Sequence, residues 1–442
     1  MPRARSAPPP FSPRPTRRHV LSGTGAAALT AAAVSCSSTT AKDPKTLQVW
    51  GGVPPESGPQ ALIDHFQEKF PDIPVKYTRF VNDDRGNLKV NTALQGDLDI
   101  DVYFTYSTEA LAMRSGSGLA ADLGDKVRST PGLEPFLDTD EPKALIDGDS
   151  ISALATTREP NMILFNESLR QETGIDLPAS WTLEEYLDVI RTFAQEDRYG
   201  AYMLPDLPRV QLGPNYWFTS DGNSNFSDPA FEEHLSLAAE LIREGVLFPW
   251  TQILARQLEA YQQNNFINQD FATWMTAPFS LRFLNDPEGY PHDFTVSCAP
   301  VPTVDGSDWN TGVYGNYIQV NAKSAKQDMA WEFVNYWIQE GGTDMAPGGK
   351  VPTLDTVDHD ELLTAMLGED AETYFEVDSF TKVLFDDEPK LVVDTDLTAI
   401  SEITQKYEQQ RDVCWLLEET PQKAIETVDK NAQALIDRYQ EA

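Results

Sequence analysis

The amino-acid sequence predicts an α/β protein of two domains whose sheets are mainly parallel. Segments with apolar residues at every second position take turns with segments whose apolar residues recur at three and four. The chain is also long: without an N-terminal export signal, 407 of its 442 residues remain, too many for one ordinary core. No fixed-period repeat or heptad pattern interrupts this order.

The elements follow in sequence. Thr46 to Trp50 alternates as a strand does, and Gly51-Gly52-Val53-Pro54-Pro55 breaks it. Ala61, Leu62, His65, Phe66 and Phe70 fall at helical spacing, and Ile73 to Tyr77 opens a second strand, completing a β-α-β unit. Leu88 to Leu94 reads as a helix, Ile100 to Phe104 as a buried strand and Thr108 to Arg114 as a helix. Met162 to Phe165 is a strand, and Trp181 to Gln195 is an amphipathic helix capped by Ser180 or Thr182, with Glu184 and Glu185 in its first turn. Phe231 to Arg243 is a helix ended at Gly245.

Before this body stands an export signal. Thr16-Arg17-Arg18-His19-Val20-Leu21 resembles a twin-arginine signal, and an Ala-rich run leads to Ala33-Val34-Ser35-Cys36, which resembles a bacterial lipobox with Ala33 where Leu is usual. Cleavage there would remove residues 1–35 and leave Cys36 as a lipidated N-terminus on the outer face of the cell membrane. Val20 to Val34, broken by Gly23 and Gly25, is shorter than the roughly 20 residues a bilayer-spanning helix needs. Residues 36–45, rich in Ser and Thr, read as a flexible tether.

The lost segment carries five arginines and no acid, so the formal charge moves from −35 to −40. Such a surface repels phosphate backbones and argues against nucleic acid as a partner. With Cys36 committed to lipid, Cys298 and Cys414 remain; in an oxidising compartment they are either a disulfide joining distant parts of the chain or two buried thiols.

Eight landmarks stand in a familiar order: Leu47-Gln48-Val49-Trp50; Phe66 to Ile73; Gly96 to Val102; Ser117 to Leu123; Ile163-Leu164-Phe165-Asn166; Leu177 to Glu185; Ala299-Pro300-Val301-Pro302; and Ala330 to Trp337. In that order the chain resembles the extracellular solute-binding proteins of ABC importers, the type that includes maltose- and oligosaccharide-binding lipoproteins. It departs from the family at Ile100, where Pro usually precedes the Asp-Val pair, and at Ala179-Ser180. The resemblance implies a two-lobed periplasmic-binding-protein fold with a ligand cleft between the lobes. Lobe one would comprise 46–154 plus 304–346, and lobe two 158–300 plus 350–442. It implies a monomer that closes on a solute, most plainly a sugar or oligosaccharide, and passes it to the membrane permease, with no cofactor and no catalysis.

Sugar binding calls for aromatic faces against ring surfaces and for amides, carboxylates and cations against hydroxyls. Sites in such sheets lie beyond the carboxyl ends of strands. The candidates are Tyr106 after its strand; Glu159 and Asn161 where the chain first crosses between lobes; Tyr216 and Trp217 in a Gly-Pro-Asn loop; and Trp274 and Phe279, at a strand and turn that commonly deliver an aromatic. Trp309, Tyr314 and Asn316 follow in a Gly-rich stretch, and Lys350 after Gly348-Gly349 is weighed at the last crossover. Trp181, Trp331 and Trp337 sit at helical spacing and read as core.

Other chemistries fit less well. Asp97, Asp99 and Asp101 superficially match a calcium loop, but Val102 replaces its Gly and Thr108 its bidentate Glu. The histidines show no metal spacing, and no nucleophile elbow is present. A secreted glycoside hydrolase using a carboxylate pair is the alternative reading, and a purely adhesive surface lipoprotein a third.

Overall fold

The computed structural model describes residues 43–441 apart from 97, 140, 259–262 and 388. The export signal, Cys36 and the tether up to residue 42 lie outside the described residues.

Eleven strands are described: β1 (Leu47–Gly51), β2 (Val75–Arg79), β3 (Val102–Thr105), β4 (Ala144–Asp147), β5 (Ser150–Glu159), β6 (Met162–Asn166), β7 (Tyr199–Ala201), β8 (Phe271–Thr276), β9 (Val296–Pro300), β10 (Val313–Val320) and β11 (Val351–Pro352). They form two sheets. The first runs β11-β5-β10-β3-β1-β2 with β4 on β5, and the second β7-β8-β6-β9. The period-two alternation of β1 explains its place: Leu47 and Val49 are buried on one face against Leu62 and Phe66 of helix Pro59–Lys69, while Trp50 packs on the other. Helix Gln327–Glu340 shares that first face, where Phe66 meets Phe333 edge-on at 5.2 Å. Helix Asp84–Gln95 covers the opposite face through Val90 and Leu94.

The second sheet anchors a larger core that includes helices Leu183–Phe193, Pro229–Glu244, Ile400–Trp415 and Pro421–Gln440. Thr182 supplies the expected cap on the first of these. Its hydroxyl accepts from Glu185 N–H at 3.3 Å, and the Glu185 carboxylate accepts the Thr182 N–H at 2.7 Å, a reciprocal capping box.

Two sequence expectations are corrected. The sheets are mainly antiparallel: among the described strand pairs, only β1–β2, β1–β3 and β7–β8 are parallel, against six antiparallel. The cause is the traffic between sheets. β5 leaves the first sheet at Glu159 to become β6 of the second, and β10 brings the chain back in the reverse direction between β3 and β5. A third connection, residues 346–358, leads through β11 toward helix His359–Leu367 in the second core.

The second correction concerns cysteine, where the disulfide reading gives way to the alternative of two buried thiols. Cys298 and Cys414 are both free and buried, with the Cys298 thiol donating to Ser379 O at 3.3 Å. Cys298 lies on β9, whereas Cys414 lies in helix Ile400–Trp415, each enclosed by its own neighbours in the core.

The folded body also begins earlier than the sequence suggests. Asp43 N–H donates to Asp99 Oδ2 at 3.0 Å, and Lys326 Nζ donates to the carbonyls of Asp43 and Thr46 while pairing with Asp101 at 2.8 Å. Residues 43–45, the last of the expected tether, are thus held on the first lobe.

Burial pushes both thiols upward, Cys414 to about 11 with Glu419 adding to the effect, so neither offers thiolate at neutral pH. A thiol reagent should therefore titrate Cys298 and Cys414 only after unfolding, without prior reduction. Failure of unfolded, unreduced protein to yield both thiols would show a disulfide.

Candidate functional site

The three connections between the sheets meet at one carboxylate. Glu159 ends β5, Asn316 sits in β10 and Lys350 precedes β11. Asn316 Nδ2 donates to Glu159 Oε1 and, at 2.6 Å, to Thr157 Oγ1. Lys350 Nζ reaches the same Oε1 at 2.6 Å, with side-chain exposures of 6% for Lys350 and 16% for Glu159. One acceptor oxygen therefore serves all three segments.

The remaining valences are unspent. Glu159 Oε2 accepts no hydrogen bond among the described residues, and Glu159 Oε1 is the one acceptor found there for the three Lys350 donors. Asn316 Oδ1 is buried without a partner among the described residues. Polar groups in that condition normally find water or a ligand hydroxyl, because leaving one dry costs about 1–3 kcal/mol. Burial, the first cause, and the nearby Arg282 guanidinium hold the Lys350 ammonium below the usual lysine value, against the pull of Glu159.

Asn316 holds its place by an uncommon backbone. Its φ of 49° is left-handed inside a strand, a conformation Asn tolerates better than most residues. Thr156 fixes it further, its hydroxyl donating to Asn316 O at 2.8 Å.

Beside this junction lies a pocket lined by Val53, Tyr77, Tyr106, Asn316, Trp337 and Lys350 among others. The Tyr106 hydroxyl accepts Gly52 N–H at 2.6 Å, and the Tyr77 hydroxyl donates to Val53 O at 2.9 Å. Gly52 permits the first contact, since a Cβ there would lie 2.9 Å from the Tyr106 ring. Both phenols are pushed above the usual tyrosine value, mainly by burial. They remain neutral hydrogen-bonding groups.

The second lobe supplies Phe279, whose ring centroid is 5.9 Å from Lys350 Nζ and 6.0 Å from the Arg282 guanidinium. The third connection presses on this segment. Gly349, at φ +69°, packs so closely that a Cβ would collide with the Pro278 carbonyl.

Of the sequence candidates, Tyr106, Glu159, Phe279 and Asn316 are brought together, with Lys350 at their centre. Asn161 is near but serves the connections: its N–H donates to Asn310 Oδ1 at 2.8 Å, and its amide to Thr311 Oγ1 at 2.8 Å. Tyr314 donates to Glu141 at 2.8 Å and lines a second pocket with Tyr317 and Arg209. The indole of Trp309 lies 3.7 Å under Lys390 Nζ and against Gly213, away from the junction cavity.

Trp274, Tyr216 and Trp217 do not reach the cavity. Trp274 is 1% exposed and packs 5.8 Å from Phe266, because β8 is buried on both faces inside the second core. Tyr216 and Trp217 are enclosed with Phe226, Phe231 and Tyr407. Sequence reasoning left out Tyr77 and read Trp337 only as core. Their periodicity marks burial, and nothing in it marks a cavity wall.

The sequence matches the profile of bacterial extracellular solute-binding proteins over residues 51–344. The chain belongs to that family. A search of curated protein sequences finds none that matches this solute-binding protein. Among solved structures it is similar to an ABC substrate-binding protein of Listeria monocytogenes in complex with cycloalternan, at 15% identity, a TM-score of 0.72 and coverage of 89% of this chain and 100% of that one. The GacH receptor of Streptomyces glaucescens, studied with acarbose, gives 17%, 0.66, and coverage of 89% and 99%. A Thermotoga lettingae solute-binding protein bound to α-D-tagatose gives 18%, 0.67, and coverage of 89% and 100%. The likeness establishes the two-lobed fold of the solute-binding protein, and no described helix is long and apolar enough to cross a membrane.

The left-handed backbone at 316 can be tested by substitution. Asn316→Ala and Asn316→Gly both lose the amide bonds to Glu159 and Thr157, but only alanine keeps a β-carbon at positive φ. In urea unfolding, Asn316→Ala should be the less stable by about 1 kcal/mol; equal losses would contradict that backbone.

Proposed function

We propose that this binding protein captures a sugar or oligosaccharide between its lobes and delivers it to an ABC permease. In this reading the first lobe is built on the sheet of β1 to β5, β10 and β11 and the second on the sheet of β6 to β9, which moves the expected first boundary from 154–158 to just after Glu159 and leaves Val304 with the second lobe. The observation that carries the reading is the junction of Glu159, Asn316 and Lys350 beside Tyr106 and Phe279. It combines unspent donors and acceptors with aromatic surface, which is what a ring bearing hydroxyls requires. That three structural relatives are described with cycloalternan, acarbose and tagatose supports the solute class.

Catalysis is not part of this reading. A hydrolytic pair needs two carboxylates about 5–9 Å apart across the bond, and Glu159 is the acid at the junction, with one oxygen bound by a lysine and an amide. In the proposed setting the protein works as a monomer, exported and held at the membrane by lipid on Cys36.

A thermal-shift screen against mono- and oligosaccharides tests the proposal. At a hundredfold excess over Kd, a true ligand stabilises the protein by about 2.7 kcal/mol. Glu159→Gln and Phe279→Ala should each weaken that ligand by about tenfold or more, in line with about 1–3 kcal/mol for a lost buried polar partner or aromatic contact. A sugar bound equally well by both variants would remove the junction as the site, and turnover of a saccharide would replace capture by hydrolysis.

A further inference from the structure

The connection joining β5 to β6 carries Glu159, the return into β10 carries Asn316, and the third connection carries Lys350. A movement of one lobe against the other must pass through these segments. All three are tied to Glu159 Oε1, Lys350 at 2.6 Å. The opposite oxygen, Oε2, makes no hydrogen bond among the described residues. The carboxylate is divided, with one oxygen turned to the hinge and one left over.

From this arrangement we infer that Lys350 is a positioning residue that sets the angle between the lobes, and that Glu159 couples solute capture to it. The part concerning solute rests on the proposed site; the part concerning the lobes does not. With Lys350 in place, the 346–350 backbone lies against Pro278 and Phe279 of the second lobe, and Gly349 has no side chain to hold it off. Without the ammonium, Glu159 keeps only the Asn316 amide on Oε1, and its buried charge seeks water. The third connection then keeps its β11–β5 ladder but loses the side-chain tie at residue 350, just where it turns toward the second lobe, and the lobes take a wider range of angles. A solute hydroxyl on Oε2 restrains the same carboxylate from the other side.

The ammonium also makes the tie sensitive to alkali. Among the described residues, Glu159 on β5, Arg282 in the short helix Leu281–Leu284 after Phe279, and the Tyr106 and Tyr77 phenols of the first lobe are the titratable groups at this junction and its pocket. Burial first, and Arg282 second, lower the Lys350 value, while Glu159 raises it. Lys350 should lose its proton below the pH at which exposed lysines do.

Single-molecule energy transfer reads the lobe angle directly. A donor and an acceptor go onto non-natural amino acids at the exposed positions Glu332, on the first lobe, and Glu233, on the second, leaving the cysteines untouched. With no sugar present, the wild-type full chain should give one narrow distribution of transfer efficiency. Lys350→Met and Glu159→Gln should each broaden it and shift its mean, and Lys350→Arg, which keeps the charge, should return it most of the way. Unchanged distributions in Lys350→Met and Glu159→Gln would overturn the inference, whatever their melting temperatures. Should those variants fail to fold, an alkaline titration of the wild type decides. Broadening before the exposed lysines titrate supports the tie, and a flat response overturns it. Failure of every sugar to bind would count against the proposed function and leave these readings of the lobe angle standing.

Discussion

One carboxylate oxygen, Glu159 Oε1, holds together the three stretches of chain on which the two-lobed arrangement depends. Burying a lysine against a glutamate costs desolvation on both sides, and an isolated pair of this kind often adds little net stability. Here the pair has a third member in Asn316, and all three sit on segments that must bend together. Such a cluster gains less in stability than in definition. It selects one geometry among the many that two packed lobes joined by short segments could adopt.

Much of the surrounding structure follows from holding that geometry. The left-handed turn of Asn316 is unfavourable alone and persists because the amide, the Thr156 hydroxyl and the β5 ladder fix it together. Gly52 and Gly349 lack side chains where Tyr106 and Pro278 approach most closely. Family membership gives the molecule a task that this mechanics suits, since a receptor that reports occupancy through shape needs defined lobe positions and a contact that feels the solute.

How much of this was legible in the sequence depended on what each pattern encodes. The Thr182 cap, the buried face of β1 and the helix beginning at Pro59 were readable because local spacing determines them. Glu159 was readable as a candidate because it stands where the first chain crossing was expected, and Asn316 because it lies in a Gly-rich stretch at the cleft of the resembling family. Strand direction was not readable, since nothing within Val313–Val320 records that it re-enters the first sheet against β3 and β5. Aromatics were only half readable: Trp274 and Phe279 lie five residues apart, and the fold, more than residue type, sends one into the core and the other to the junction. The two cysteines could not be judged at all, because sequence gives no distance between β9 and the helix carrying Cys414. Lys350 was undervalued for a related reason, as its partner lies 191 positions away.

The central claim is that Glu159 and Lys350 act as one unit, and a double-mutant cycle on unfolding free energy measures that. Glu159→Gln, Lys350→Met and the double variant should show a coupling of about 1–3 kcal/mol, with the double variant losing less than the two single losses combined. Losses that add within about 0.5 kcal/mol would mean that the two groups do not depend on each other, and would contradict the account.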